Sequence, residues 1–538
     1  MDLLRRCDLS DLDGQEQDSA IRTVAGEVGV GFDLGRGPLL RAVLFDLGVG
    51  RRPVLLVAVH HLVVDGVSWR ILLEDLDSAY QQAVTGRAVE LRSKTTSFRQ
   101  WAARLAAHVA AGGFDDERDY WAETTRGCDP TLPLDGHGAN TVGSTRSVTV
   151  GLDSEQTRAL LQDVPGVYRT QVNDVLLAAL GRVLGAWTGR DRVLVDLEGH
   201  GREELFDDVD LSRTVGWFTT LFPVALEVSA DGDLGGLLKS VKEQLRALPL
   251  RGLGYGALRY LTEDGVPGGE VAAPVSFNYL GQFDQAAAGG GGLVRGLGAG
   301  LDSDVDPREI RVHVLDVVGR VERGCLEFSW AYSEQLHRHA TVAWLAEEML
   351  AALRDIVRHC AQPDAGGRTP SDFPLARLDQ PTVDRLVGDG RSAEDLYPLT
   401  SMQAGMVFHG LSQGDQGVYS EQVAFVLDGV EDSHVLGQAW QAVVDRTPVL
   451  RSRVVWEGVA EPLQLVHREV TLPVRHLDWT HLSDTERREA LARLLDVDRA
   501  EGMGLATAPL LRVVLARLSD TEVQLLWTFH HVLLDGWS

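Results

Sequence analysis

Apolar residues along the chain fall in strand-length runs that each feed a polar loop, and one such pattern occurs twice. "GPLLRAVLFDL" (37–47) precedes "PVLLVAVH" (53–60), and "APLLRVVLARL" (508–518) precedes "VQLLWTFH" (523–530). Each second run opens onto a paired histidine and an Asp-Gly step: "HHLVVDGVSW" at 60–69 and "HHVLLDGWS" at 530–538. From Pro38 to His60 is 22 residues, and from Pro509 to His530 is 21. Shared order at a shared distance indicates two copies of one folding unit.

The periodicity predicts a buried strand over 53–59 and a helix over Ser68–Val84, with Ile71, Leu72, Leu76, Tyr80 and Val84 on its apolar face. His60, His61 and Asp65 then sit on the connecting loop. A second strand-like run, within "VLVDLEGHGREE" (193–204), ends at Glu198 and turns through Gly199 and Gly201, where glycine lets the backbone bend and approach a ligand.

The second copy opens at "YPLTSMQAGMVFHGL", so Tyr397 lies 133 residues before His530, whereas 59 residues precede His60. The first copy is therefore expected to lack about 74 residues at its front, and the second to stop inside its own motif. The Pro-, Gly- and Asp-rich segment 360–396 predicts a connection rather than a core element, with a boundary near residue 388. The glycine-dense stretch 286–300 predicts a flexible loop and carries no GxGxxG match.

Composition narrows the classes. With 538 residues and 44% hydrophobic content the chain holds more than one domain or lobe. A formal charge of −27 repels phosphate backbones and anionic membranes, which argues against nucleic-acid or membrane partners. Cys7, Cys128, Cys325 and Cys360 are scattered without metal or disulfide spacing, which fits no metal and a reducing cytoplasm. No apolar run reaches membrane-spanning length, and the charged start does not suit a secretory signal.

Two residue types carry candidate chemistry. Imidazole exchanges protons near neutral pH, so a histidine at a strand mouth is a candidate general base; Glu198, at the end of another strand, is a candidate acid. Delivered from two strands, they can face opposite sides of one carbon. Asp65 reads as structural, holding its loop by pairing with an arginine, either Arg213 or Arg202. His60 reads as structural too.

The order "HHLVVDGVSW", "NDVLLAALG" (173–181), "EGHGRE" (198–203), "RTVGWFTTLFPVAL" (213–226), "PLRGLGYG" (249–256) and "FNYLGQFDQ" (277–285) closely resembles the epimerization domains of nonribosomal peptide synthetases. From Tyr397 onward the chain resembles the start of a condensation domain of the same superfamily, through "YPLTSMQAGMVFHGL", "RTPVLRSRV" (446–454) and "HHVLLDGWS". In the second of these motifs Thr447 stands where the family usually has His.

The resemblance implies an α/β fold: a chloramphenicol-acetyltransferase-like pseudo-dimer of two lobes in a V, plus one further partial lobe. Residues 1–388 would be the epimerization domain, with lobes at about 1–140 and 141–385, and 389–538 the first lobe of a condensation domain. It implies inversion at the α-carbon of an aminoacyl or peptidyl thioester, with His61 and Glu198 as the proton-transferring pair. Asn278 and Tyr279 would line the tunnel, Trp217 and Phe218 its walls, and Arg202, Arg213, Asp65 and His60 would support it. His530, His531 and Asp535 would be the condensation-type counterparts, with His531 the working histidine.

No cofactor would bind directly. The substrate would arrive on the 4'-phosphopantetheine arm of an upstream peptidyl carrier domain, and the remainder of the condensation module would follow downstream. Three rivals compete: a hydrolase built on the GxSxG match "GLSQG" (410–414), a catalytically silent interaction module, and an acyl-transferring condensation domain.

Overall fold

A computed structural model describes residues 3–228, 233–266, 271–282, 293, 305–413 and 419–538. The stretch 286–300, expected to be flexible, lies outside the described residues apart from Leu293, as does the end of the "FNYLGQFDQ" motif. The chain divides into two compact units: one runs to Val164 and from Gln171 to Arg358, the other comprises Pro165–Thr170 and His359–Ser538.

The first unit opens with a three-stranded sheet. β1 (Leu4–Asp8) pairs parallel with β2 (Leu40–Asp46), which pairs antiparallel with β3 (Val54–Val59). Parallel neighbours need a crossover, supplied here by the helix Gly14–Val30. That helix starts on a capping box in which Asp13 accepts the Gln15 and Glu16 amides and Glu16 accepts the Asp13 amide.

A six-stranded sheet follows, built from β4 (Thr145–Gly151), β5 (Arg192–Gly199), β6 (Thr220–Glu227), β7 (Val275–Gln282), β8 (Leu315–Glu322) and β9 (Cys325–Ser333) in the order β4-β9-β8-β7-β5-β6. The helix Val172–Thr188 is buried continuously from Asp174 to Gly181, which is why "NDVLLAALG" reads as nearly all apolar. Its one carboxylate, Asp174, is satisfied by Arg246 (2.9 Å) and by the Gln171 amide (2.7 Å).

The second unit has its own three-stranded sheet, from β10 (Ala393–Pro398), β12 (Ser452–Val455) and β13 (Leu463–His467), and a four-stranded one from β11 (Ser420–Asp428), β14 (Val474–Asp478), β15 (Leu511–Arg517) and β16 (Glu522–His530). Within the latter, β14 pairs parallel with β15 and β15 antiparallel with β16, repeating the β1-β2-β3 arrangement. The helix Asp484–Glu501 provides the matching crossover and starts on a Ser483–Glu486 capping box. The arginine of each "PLLR" run bonds the carbonyl that ends its helix, Arg41 to Gly31 and Arg512 to Gly502. The repeat read from the sequence is thus a repeat of structure.

Two sequence expectations are corrected. β3, expected to be buried, is only partly so, with Val54 and Leu55 exposed, whereas β16 is buried along most of its length. The reason is pairing: β11 lies antiparallel along β16, and among the described residues β3 has β2 as its one neighbour. The helix after β3, Gly66–Val84, correspondingly buries Ile71 but leaves Leu76, Tyr80 and Val84 exposed.

The segment 360–396 is likewise more than a connection. Phe373, Ala376, Val383 and Val387 are buried in one core with Ala393, Leu396, Val455, Leu463 and Leu465. The helix Gln380–Val387, capped by Asp379, carries two of them. Among the described residues no helix is long and apolar enough to cross a membrane.

Phe373→Ala is expected to cost the second unit about 3–5 kcal/mol in chemical denaturation. A change within about 0.5 kcal/mol would mean that the segment behaves as a solvated linker.

Candidate active site

The loop after β3 is pinned by its first histidine. His60 donates its amide to the Leu39 carbonyl (2.9 Å), and its Nδ1 accepts the Leu62 amide (3.2 Å). The second copy repeats both bonds, from His530 to the Leu510 carbonyl (3.0 Å) and from the Val532 amide to His530 Nδ1 (3.0 Å). Burial, with the neighbouring His531, presses the His530 pKa down to about 4, so that ring stays a neutral acceptor. The next residue, His61, is left exposed, its ring centre 5.2 Å from that of Trp217.

Asp65 closes the loop. Its carboxylate accepts from Arg202 Nη1 (2.6 Å) and Nη2 (3.1 Å), from the Ser68 amide (2.8 Å) and from the Phe218 amide (3.2 Å). Both side chains are buried, 3% exposed for Asp65 and 8% for Arg202. Burial alone would raise the Asp65 pKa, but Arg202 and the donors from Ser68 and Phe218 outweigh it and hold the carboxyl below its usual range. Arg202 also donates to Ser68 Oγ and the Thr214 carbonyl and stacks 4.2 Å over the Phe218 ring. The choice between two arginines is therefore resolved as Arg202; Arg213 pairs instead with Glu74 (2.7 Å) and Asp75.

The turn that delivers Arg202 depends on Gly201, which has φ +65°; a Cβ there would lie 1.7 Å from the Phe218 carbonyl oxygen. Just before the turn, β5 carries Asp196 and Glu198 two residues apart and so on one sheet face. Register aligns Asp196 with Ser276 of β7 and Ser276 with Asp316 of β8. The next row on that face is Glu198, Asn278 and Val318, where Asn278 Nδ2 donates to Glu198 Oε2 (2.5 Å).

Glu198 is reached by solvent. Desolvation pushes its pKa up; His61 and His313 pull it down and Asp316 pushes it up, with a net rise. His61 is thus near enough to act on Glu198 electrostatically. Tyr279 alternates to the opposite face, where its ring would touch a Cβ at Gly319 (3.4 Å), and the structure does not bring it to Glu198.

In the second copy His531 Nδ1 donates to the Leu534 carbonyl (2.7 Å), since a carbonyl only accepts, which leaves Nε2 as the outward nitrogen. Asp535 is exposed and accepts from the Trp537 and Ser538 amides, with no counterpart to Arg202 among the described residues.

The family profile for condensation domains matches residues 3–378 and again 393–538, one match for each copy. This chain belongs to the condensation-domain family. One of the linear gramicidin synthase proteins of Brevibacillus parabrevis is 46% identical over 535 residues, an alignment covering 97% of this chain and 7% of that protein. Chondramide synthase cmdD of Chondromyces crocatus is 39% identical over 581 residues, covering 99% of this chain and 15% of that protein. The chain spans 7–10% of the length of the three gramicidin synthase proteins it matches. The crystal structure of the epimerization domain from the third module of tyrocidine synthetase B matches with a TM-score of 0.60 at 36% identity, covering 66% of this chain and 79% of that one. The chain is therefore a nonribosomal peptide synthetase domain of the condensation and epimerization type, with the chloramphenicol-acetyltransferase-like fold expected from its motifs.

Within this family member, Asn278 bonds Glu198 and His61 acts on it electrostatically, while Asp65, Arg202 and His60 hold the loop after β3. Sequence reasoning missed Asp196, Ser276, His313 and Asp316, although carboxylates alternating in "VDLE" and the His and Asp of "VHVLD" (312–316) were a legible signal. The hydrolase rival fails on geometry: Ser412 lies inside the helix Ser401–Gln413 and donates to the His409 carbonyl, rather than topping a strand-to-helix turn.

Arg202→Leu is expected to destabilise the first unit by about 3–5 kcal/mol, because it strands a buried carboxylate. Since the folded pKa of Asp65 is depressed, the pair's contribution is present above the unfolded value of about 4 and is lost as pH falls through the folded one. Denaturation between pH 7 and pH 2 should show this loss in the wild type; Asp65→Asn, measured the same way, should lack that part of the slope.

Proposed function

We propose that the first unit epimerizes the α-carbon of an aminoacyl or peptidyl thioester presented on a carrier domain's phosphopantetheine arm. The observation that carries the reading is an exposed imidazole, His61, and a carboxyl of raised pKa held by Asn278, Glu198, delivered from two separate strand ends with His61 acting on Glu198 electrostatically. The likeness to an epimerization domain at 36% identity supports it.

The thioester carbonyl makes the α-proton removable. One group takes that proton as the C–H electron pair forms the enolate C=C bond and the carbonyl π pair moves onto oxygen; the other returns a proton to the opposite face as the carbonyl re-forms. A carboxyl with raised proton affinity holds its proton closer to neutrality than an ordinary one and so can serve as the donor. Asn278 steers the Glu198 carboxyl by its hydrogen bond. A downstream condensation step then uses the inverted residue, with His531 as its histidine; residues 389–538 belong to that next domain.

The test uses the synthetase polypeptide holding this sequence, an aminoacyl-phosphopantetheinyl carrier and heavy water. His61→Ala and Glu198→Gln should each lower inversion about 10²- to 10⁴-fold. Each should keep α-deuterium exchange from only one enantiomer, the opposite one in the two variants, because the surviving group still reaches its own face. Inversion at wild-type rate in both variants, or amide formation in place of inversion, would sink the reading.

A further inference from the structure

The row beneath Glu198 holds a charge cluster that the proposed chemistry does not itself use. His313 Nε2 lies 2.8 Å from Asp196 Oδ2, and its Nδ1 lies 3.3 Å from Asp316 Oδ1. Carboxylates only accept, so a ring bonded to two of them donates from both nitrogens and is an imidazolium. Its side chain is 9% exposed. Burial works against that charge, but the two carboxylates outweigh it and raise the pKa to about 9.

The clamp is itself held. Asp316 accepts from Ser276 Oγ (2.6 Å) and from Arg311, whose Nη2 also donates to the Ala331 carbonyl (2.9 Å). Asn140 Nδ2 fixes the His313 carbonyl (2.8 Å). Asp196 further acts on Tyr255 and Arg259 of the helix Leu253–Leu261, which bond each other at 2.9 Å. Glu198 is faced by His61 from the loop after β3, Asn278 from β7, Asp316 from β8, His313 from the segment before β8, and Asp196 on its own strand.

The rows are two residues apart along the strands, about 7 Å. At an effective dielectric of about 20, one unit charge at that distance moves a carboxyl's midpoint by about one to two pH units. Without His313, Asp316 keeps Arg311 but Asp196 is left unpaired, and that charge would hold the Glu198 proton in place.

We propose that His313, clamped between Asp196 and Asp316, is a positioning residue for Glu198: its positive charge cancels the carboxylates beneath, so that Glu198 can both release and regain a proton in each turnover. The purpose so assigned rests on the epimerase reading. The charge coupling itself does not.

The coupling is read by 13C NMR of the chain labelled at glutamate carboxyls, with the Glu198 signal assigned through Glu198→Gln. His313→Gln should move the Glu198 midpoint up by about one unit or more, and His313→Lys should bring it back toward wild type, as no purely structural role would. Should His313→Gln fail to fold, Asp316→Asn tests the same field with the opposite sign and should move the midpoint down. A midpoint unmoved in a folded variant overturns the proposal. In the exchange assay, the pH limb that Glu198→Gln removes should shift upward in His313→Gln. Undiminished inversion in Glu198→Gln overturns the epimerase reading and the purpose given to His313; lost inversion with an unmoved midpoint overturns the His313 proposal alone.

Discussion

The buried pair of Asp65 and Arg202 is the constraint on which the site depends. It joins the loop after β3 to the turn after β5, two segments 137 residues apart in sequence. Taking both charges out of water costs several kcal/mol for each, so the pair adds little net stability against an apolar substitute of the same shape. What it does is specify geometry: the carboxylate also takes the Ser68 and Phe218 amides, and the guanidinium also takes Ser68 Oγ and the Thr214 carbonyl. One arrangement of the two segments satisfies all of these at once. His61 and Glu198 are each within four residues of this pair and inherit their relation from it.

The second copy repeats the histidine part of this loop. Its first histidine makes the same two hydrogen bonds, yet Asp535 is exposed and bonds only within its own turn. The strand and the first histidine are thus common to both copies, and in the first unit Arg202 ties the Asp-Gly loop to the turn after β5. β3 and β16 share the antiparallel pairing with the preceding strand, and β11 lies along the other side of β16.

Much of this was legible in sequence because it is local. The repeat, the two strands, the helix after the Asp-Gly step and the special role of Gly201 all follow from spacing and residue type within a few positions. What was not legible is what strand register decides. Nothing near Asp65 in sequence separates Arg202 from Arg213, and only the turn at Gly201 aims the former inward. Tyr279 is adjacent to Asn278 in the chain but opposite to it in the sheet. The clamp on His313 draws on β5, β7 and β8 together, and the burial of Phe373 depends on strands downstream of a segment whose composition looks like a linker.

The central claim is that two groups exchange protons with opposite faces of one carbon. It is tested most directly by following a carrier-bound thioester in heavy water from the L and from the D form separately, using the wild-type synthetase. The account predicts that both approach the same D to L ratio and that each inverted molecule carries one deuteron at the α-carbon. A ratio that stays where it began, with no deuterium incorporated, would contradict it.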